Sequence, residues 1–342
     1  MAIKDVLSEI NEDVKDLLRM QFELTQTQTD YVPHDDDQGY SFESGKIKKG
    51  KLIETCVLYA DIRNSTQLSR DHSKEVMAKL YTAFVSSVLS VAEHHGGISR
   101  NIIGDRVMLV FPQRNCFTNA IDTAISINTV ASRIINKHFN GLEFKVGIGI
   151  DYGLMKTIKV GIAKQGKERA AYKNLVWIGN AANIASKLTD VANKEIVKTV
   201  YRVTRNPLNP NAIRLKSASG LYHLPIPDQY ESVPGQPIHL TSTETVDLSP
   251  EEFADTISQL DSGKIFTLRG NMLKFKKEEV KSNAAPILMS QKVWEDYAKT
   301  NSSRIDVKEN KHWFYQNVSV KEYSGKIIGG DVIWAAINDI TL

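Results

Sequence analysis

The chain has 342 residues, of which 42% are hydrophobic and 24% are charged, a composition typical of folded globular proteins. Its 43 basic and 40 acidic residues leave a net charge of +3, which is too small a surplus for a surface that binds nucleic acid. No stretch reaches the ~18 consecutive apolar residues of a membrane-spanning helix, and the N-terminus lacks the apolar core of a signal peptide. We therefore expect a cytoplasmic protein without membrane insertion.

The first 50 residues predict a helix and a linker. Apolar residues recur at helical spacing from residue 3 to residue 24, which predicts an amphipathic helix. This helix can pack on its own domain or pair with the same helix of a second copy. We expect the first, because the stripe is too short for a sustained coiled coil. Residues 27–50 are polar and predict a loop or linker.

Residues 51–342 predict one α+β domain. The predicted elements are a strand at 52–60, a helix at 73–94, a hairpin at 101–111 with Gly104 and Asp105 at its tip, a helix at 115–138, a strand at 144–151 and a helix at 180–193. Further along the chain, Ser249 begins a helix, residues 286–299 form another, and residues 312–337 form two closing strands.

Two carboxylates stand where chemistry on phosphate is possible. Asp61 follows an apolar strand and precedes a polar turn, so it can hold a metal-bound polyphosphate beside the amides of the next helix, or merely cap that helix. Asp105 lies at the predicted hairpin tip, and neighbouring strands are only ~5 Å apart. Two such carboxylates can bind a pair of divalent cations, which activate an oxygen nucleophile for attack on phosphorus.

The blocks from "VLYADIRNSTQLS" at residue 57 to "NAANIASKL" at residue 180 follow the order and spacing of the class III nucleotidyl cyclase domain, which the chain resembles over residues 52–195. The resemblance implies a ferredoxin-like βαββαβ sandwich, preceded by the N-terminal helix, that works as a homodimer with composite sites at the interface. The family's closing hairpin is matched only near the C-terminus. This displacement implies an insertion at about 196–283 within the cyclase domain.

The resemblance also implies a nucleoside triphosphate substrate and two divalent cations, Mg²⁺ or Mn²⁺. The residues that match the family's site are Asp61, Asp105 and the Ile62 carbonyl for the metals, Asn64, Ser65 and Thr66 for the phosphates, Asn183 for the ribose, and Lys187 where the family has a catalytic arginine. A lysine keeps the charge of that arginine but loses its bidentate geometry. Lys321 and Lys326 are candidates for a phosphate-binding lysine in the closing hairpin.

The positions that would recognise the base differ from the patterns of both adenylyl and guanylyl cyclases. Where the family reads adenine with a lysine and with an aspartate or threonine, this chain has Asn101 and Val176, and guanylyl cyclases have glutamate at the first of these. An asparagine amide can pair with uracil or cytosine, and Tyr59 and Arg100 flank the same strands. The pattern resembles that of the bacterial Pycsar pyrimidine cyclases of anti-phage defence.

We therefore expect a cyclase that forms cyclic UMP from UTP, in preference to cyclic CMP from CTP, and a separate effector that senses the product. Two alternatives remain open. One is an adenylate cyclase with unusual base contacts, and the other is a catalytically inactive regulator that binds nucleotide.

Overall fold

The computed structural model describes residues 2–19, 22–40, 48–139, 141–164, 167–209, 211, 213–215, 230–232, 234–237, 239–259, 265–267, 270–309 and 311–341. The helices are α1 (Ile3–Arg19), α2 (Ser65–Asp71), α3 (Lys74–His94), α4 (Cys116–Thr129) continued by a π-helical turn (Val130–Ile135) and α5 (Asn136–His138), α6 (Asn180–Val191), α7 (Pro250–Thr256), α8 (Gln291–Thr300), α9 (Ile305–Lys308) and a 3₁₀ turn (Ala335–Asp339).

The strands are β1 (Phe22–Gln28), β2 (Lys48–Ile62), β3 (Ile98–Ile103), β4 (Arg106–Val110), β5 (Val146–Lys164), β6 (Lys167–Ile178), β7 (Glu195–Pro207), β8 (Ile213–Leu215), β9 (Tyr230–Ser232), β10 (Glu244–Leu248), β11 (Ile257–Gln259), β12 (Ile265–Thr267), β13 (Gly270–Asn283), β14 (Ile287–Ser290), β15 (Phe314–Tyr315) and β16 (Ile327–Gly330). The chain divides into two compact units. Unit 1 contains Met1–Lys194 and Asn283–Leu342, and unit 2 contains Glu195–Ser282.

Unit 1 is built on a mixed sheet with the strand order β15-β16-β14-β5-β2-β4-β3. The central pair, β2 and β5, is antiparallel and continuous from Ile62, which faces Val146, to Gly50, which faces Ile158. β1 runs parallel to the start of β2, and β6 pairs with the distal half of β5. β3 and β4 form the predicted hairpin, with Gly104 and Asp105 as its turn.

The side chains of β2 alternate between two buried layers, as successive residues of a strand must. Leu58 and Ala60 point into the larger core with residues of α3 and α4. Val57 and Tyr59 point the other way, into a cluster that includes residues of α6. Asp61 follows Tyr59 by two residues and so shares its side of the sheet, which we call the α6 face.

Helix α3 confirms the prediction for residues 73–94. Ser73 is its N-cap, because the Ser73 hydroxyl accepts a hydrogen bond from the Val76 amide at 3.3 Å. Among the described residues, α3 is the one helix whose length and hydropathy would suffice to cross a membrane. Its apolar side chains, such as Leu80 and Phe84, are nonetheless buried in the core of unit 1.

One closing element was predicted wrongly. Residues 286–299 were expected to be helical, but Ile287–Ser290 form β14, and α8 begins only at Gln291. All four residues of β14 are buried, since the strand lies between β5 and β16. A short apolar run bordering a helix has no periodicity that separates a buried strand from the first turn of the helix.

The N-terminal region also differs from its prediction. Helix α1 forms, but none of its residues is buried, so the expectation that it packs on its own domain is wrong. The predicted loop or linker at 27–50 contains the end of β1, the start of β2 and a segment whose Val32 and Tyr40 side chains are buried. Residues 41–47 of the predicted linker lie outside the described part of the chain.

Unit 2 contains a three-stranded sheet in the order β10-β7-β13. The rings of Tyr201 and Phe253 stack at a centroid distance of 4.1 Å. Helix α7 begins as predicted, because Ser249 and Glu252 exchange hydrogen bonds of 2.9 and 3.1 Å. Within unit 1, the Ala284 amide donates to the Lys194 carbonyl at 2.9 Å, so the chain leaves and re-enters unit 1 at neighbouring residues.

Candidate active site

Asp61 lies at the end of β2 and is held by two arginines. Its Oδ2 accepts a hydrogen bond from Arg63 Nη2 at 2.8 Å and another from Arg106 Nη2 at 2.9 Å. Arg106 also donates to Ser186 Oγ at 3.0 Å and to the Asp190 carboxylate, both on α6. These contacts fix the carboxylate of Asp61 beneath α6.

Asp105 lies in the turn between β3 and β4, close enough to Asp61 for their charges to interact. Burial raises the pKa of the Asp105 carboxyl, and the negative charge of Asp61 raises it further, whereas the Ser65 hydroxyl and the Arg63 charge oppose the rise. Asp105 Oδ2 is buried and has no hydrogen-bond partner among the described residues. A buried, unpartnered carboxylate oxygen beside a second carboxylate is an arrangement that a cation would stabilise.

The polar turn after Asp61 leads directly into α2. Asn64, with φ of 56° in the left-handed region, is the N-cap residue of this helix. The side chains of Asn64 and Thr66 are exposed, while the half-buried Ser65 hydroxyl lowers the pKa of the Asp105 carboxyl. The alternative that Asp61 merely caps α2 is therefore wrong, because Asn64 holds that position and the Asp61 carboxylate pairs with arginines.

A second cluster lies farther along the α6 face. The register of β3 and β4 contains a bulge at Arg100, because Ser99 pairs with Leu109 and Asn101 with Met108. The Arg100 guanidinium lies over the ring of Trp177, 5.9 Å from its centroid, and Nη2 donates to the Val32 carbonyl at 3.3 Å.

The Arg100 cluster combines apolar walls with one available donor. Tyr59, Trp177 and Val32 pack in the same hydrophobic cluster, and burial raises the pKa of the Tyr59 hydroxyl. Arg100 Nε is buried and has no acceptor in the described part of the chain. The cluster therefore encloses an unpartnered N–H beside two aromatic side chains.

Residues 47–223 match the adenylate and guanylate cyclase catalytic domain. The chain belongs to this family. A protein named uridylate cyclase from Burkholderia cepacia is 31% identical over 199 residues, which cover 57% of this chain and 80% of the relative. Another uridylate cyclase, from Xanthomonas perforans, is 29% identical over 211 residues, which cover 59% of this chain and 84% of the relative.

Solved structures of this family also align with the chain. The adenylyl cyclase CyaB from P. aeruginosa is 13% identical with a TM-score of 0.44, over 82% of this chain and 94% of that chain. A class III adenylyl cyclase-like ATP-binding protein from Pseudomonas aeruginosa is 18% identical with a TM-score of 0.43, over 57% of this chain and 42% of that chain. The family match confirms the predicted class III cyclase fold and identifies the chain as a nucleotidyl cyclase.

In the structure of this cyclase, the predicted site residues lie in separate groups. Asp61, Asp105 and Ser65 lie together, and Tyr59 lies with Arg100. Asn101 and Asn183 are exposed. Val176 is 38% exposed and precedes Trp177 on a regular part of β6, so it points to the opposite face of that strand.

Lys187 makes contacts that were not predicted. Its Nζ donates to Glu322 Oε2 at 2.5 Å and to the Lys321 carbonyl at 3.1 Å, in the segment before β16. The backbone of Lys321 thus contacts Lys187, while the Lys326 amide donates to Gln291 Oε1 at 3.2 Å. Glu322 therefore holds the ammonium group that occupies the family's arginine position.

Arg63 and Arg106 are site residues that the sequence reasoning missed, although a signal existed for each. Arg63 follows Asp61 by two residues, and Arg106 directly follows Asp105. Extending the pairing of Ala60 with Val107 by one residue places Arg106 opposite Asp61.

Cyclase domains of this family generally depend on divalent cations, and the paired carboxylates with the free Oδ2 of Asp105 fit such an ion.

Proposed function

We propose that this cyclase converts UTP to 3′,5′-cyclic UMP and pyrophosphate. The observation that carries the choice of base is the buried, unpartnered Nε–H of Arg100 beside Tyr59 and Trp177. Uracil presents carbonyl oxygens that accept a hydrogen bond from such a donor. If the base binds with position 4 towards Arg100, cytosine carries an amino group where uracil carries its O4, so a donor would face a donor. The uridylate cyclase names of the relatives favour the same base.

The metal-binding residues in this proposal are Asp61, Asp105 and the backbone carbonyl of Ile62. Two divalent cations, Mg²⁺ or Mn²⁺, would lower the pKa of the ribose 3′-hydroxyl and neutralise the leaving pyrophosphate. Arg63 and Arg106 keep the Asp61 carboxylate in one orientation through the bonds described above.

The other predicted residues bind and orient the substrate. The turn formed by Asn64, Ser65 and Thr66 binds the β and γ phosphates. Asn183 orients the ribose, and Lys187 stabilises the charge that develops on the α-phosphate oxygens. Asn101 lies on β3 beside Arg100 and contributes an amide to the base pocket.

We further propose a homodimer with composite sites. One face of the β5–β6 pair exposes an apolar surface formed by Leu154, Val160, Val176 and Ile178. These residues share a face because Ile178 pairs with Lys156 and Val176 pairs with Ile158. An exposed apolar face of this kind favours contact with a second copy. In this arrangement Val176 contributes to the interface rather than to the base.

We infer that residues at about 196–283 form an insertion within one cyclase domain that spans 51–342, a division that unit 2 supports. The cyclic nucleotide would act in the cytoplasm as a second messenger for a separate effector, in anti-phage defence. The effector needs no physical contact with the cyclase, because the product diffuses between them.

The test is to incubate the purified protein with ATP, GTP, CTP and UTP separately, with Mn²⁺ and with Mg²⁺, and to identify products by mass. Cyclic UMP as the main product is expected. Cyclic CMP or cyclic AMP as the main product would overturn the choice of base. Binding of UTP without pyrophosphate release, by protein that light scattering shows to be dimeric, would instead support the inactive regulator.

A further inference from the structure

Residues 29–40, which we call the strap, pack across the α6 face between β1 and β2. Val32 and Tyr40 of the strap are only 4% and 7% exposed. The Tyr40 hydroxyl hydrogen-bonds Thr157 Oγ1, on β5 directly opposite Trp177 of β6. A segment of polar composition is thus held against the sheet by buried side chains, among them Val32 and Tyr40.

Lys51 of β2 anchors the strap through a half-buried ion pair. Its Nζ donates to Asp37 Oδ2 at 2.7 Å and to the Tyr31 hydroxyl at 2.8 Å. The side chains of Lys51 and Asp37 are only 15% and 19% exposed, so water screens this pair less than a surface pair. The ammonium group also lies 5.1 Å from the Tyr31 ring centroid and 5.2 Å from that of Tyr40.

Val32 connects the strap to the Arg100 cluster. Its carbonyl accepts the hydrogen bond from Arg100 Nη2, and its side chain packs in the cluster with Tyr59 and Trp177. A guanidinium group is planar and rigid, so holding Nη2 on the Val32 carbonyl and the group over the Trp177 ring restricts the direction of the Nε–H. The strap therefore sets the orientation of the donor that carries the proposed choice of base.

We propose that the strap is a specificity-determining part of the base pocket: Val32 forms one apolar wall, and its carbonyl holds Arg100 with Nε–H free for a base carbonyl. Lys51 and Asp37 are positioning residues, because they act through the strap. This inference rests on the proposed pyrimidine cyclase function. Without the strap, Arg100 would have to be ordered by each incoming base, and that cost would weaken binding.

The test compares Lys51→Met and Asp37→Asn with the unaltered protein. Each variant removes one charge of the ion pair, from a different side, while nearly keeping the size of the side chain. For both we expect the KM for UTP to rise about tenfold, kcat to change by less than about twofold, and the preference for UTP over CTP to fall. The matched control is Lys79→Met, which removes an exposed pair with Glu75 on α3 and should change none of these values.

A double variant tests whether the strap acts through Arg100. Once Arg100→Met has removed the guanidinium, adding Lys51→Met should raise the KM for UTP no further, because coupled residues are not additive. If the KM of the double variant rose by the product of the two single-variant effects, the proposal would be overturned. So would an unchanged KM in Lys51→Met and Asp37→Asn while hydrogen exchange of residues 29–40 becomes faster.

Failure of the strap proposal is distinguishable from failure of the proposed function. If the unaltered protein forms no cyclic UMP, the proposed function is wrong before any variant is compared. If the unaltered protein forms cyclic UMP and both anchor variants keep its KM and its preference over CTP, only the strap proposal is wrong. Thermal unfolding of each variant confirms that unit 1 is folded under the assay conditions.

Discussion

Replacing Asp151 with asparagine should stabilise unit 1 at neutral pH. Asp151 lies on β5, pairs with Val57 and is 8% exposed. Burial raises the pKa of its carboxyl from 3.8 to about 6, although the Ser290 side chain and the Tyr152 amide oppose the rise. The folded chain thus keeps a proton on Asp151 over a pH range in which the unfolded chain has already lost it.

The sign and size of the effect follow from this difference. A carboxyl whose pKa is raised by folding contributes stability that is present below the unfolded pKa and is lost as the pH rises through the folded pKa. At about 1.4 kcal/mol for each pKa unit, the loss between about pH 4 and about pH 7.5 is about 2.5 kcal/mol. An asparagine side chain carries no charge at either pH, so the Asp151→Asn variant escapes this loss.

Urea unfolding followed by tryptophan fluorescence measures this difference for unit 1. All four tryptophans lie in that unit, at residues 177, 294, 313 and 334. We expect the free energy of unfolding of Asp151→Asn, relative to the unaltered protein, to be about 2.5 kcal/mol more favourable at about pH 7.5 than at about pH 4. The exposed carboxylate variant Asp71→Asn serves as the control. A difference for Asp151→Asn that is the same at both pH values would refute the reasoning.

Three further predictions concern the site and the dimer. Asp105→Asn should abolish cyclisation yet raise the Tm, by about 2–4 °C for each kcal/mol gained, because the buried charge beside Asp61 is removed; retained cyclisation would contradict the two-cation assignment. Lys187→Met should lower kcat about 10²–10³-fold with little change in KM in a pyrophosphate-release assay, whereas Lys187→Arg should keep activity; a loss confined to KM would rule out the proposed role. Replacing Leu154 and Val176, which are 46% and 38% exposed, with aspartate should leave the unfolding midpoint unchanged but weaken dimerisation in sedimentation experiments; an unchanged association constant would exclude the β5–β6 face from the interface.

Local patterns were sufficient to predict the hairpin and the first helices. The turn at Gly104 and Asp105 was predictable because Gly104 adopts a φ of 62°, which glycine tolerates, between two apolar strands. α3 was predictable because its apolar residues repeat at helical spacing over 21 residues. Asp61 and Asp105 lie close together as expected, since β2 and β4 are neighbours in the sheet.

Features that depend on tertiary pairing were not predictable from local patterns. The bulge at Arg100 depends on the register between β3 and β4, which no local signal determines. The strap has a polar composition, and its buried side chains, among them Val32 and Tyr40, are separated by exposed polar ones, so a loop or linker was the natural prediction. The pairing of Lys187 with Glu322 joins residues 135 positions apart in the chain.

The hydrogen bond between the Ala284 amide and the Lys194 carbonyl has a consequence for how the size of such a chain can vary. Because unit 1 closes on itself at this point, a segment of almost any length can be spliced in without stretching the sheet. The entropy cost of closing a flexible loop grows by only about 0.6 kcal/mol for each doubling of its length. Insertions and deletions of many residues are therefore expected to be tolerated at this junction. Within β2, by contrast, inserting or deleting a single residue before Tyr59 would move Tyr59 and Asp61 to the opposite face of the sheet.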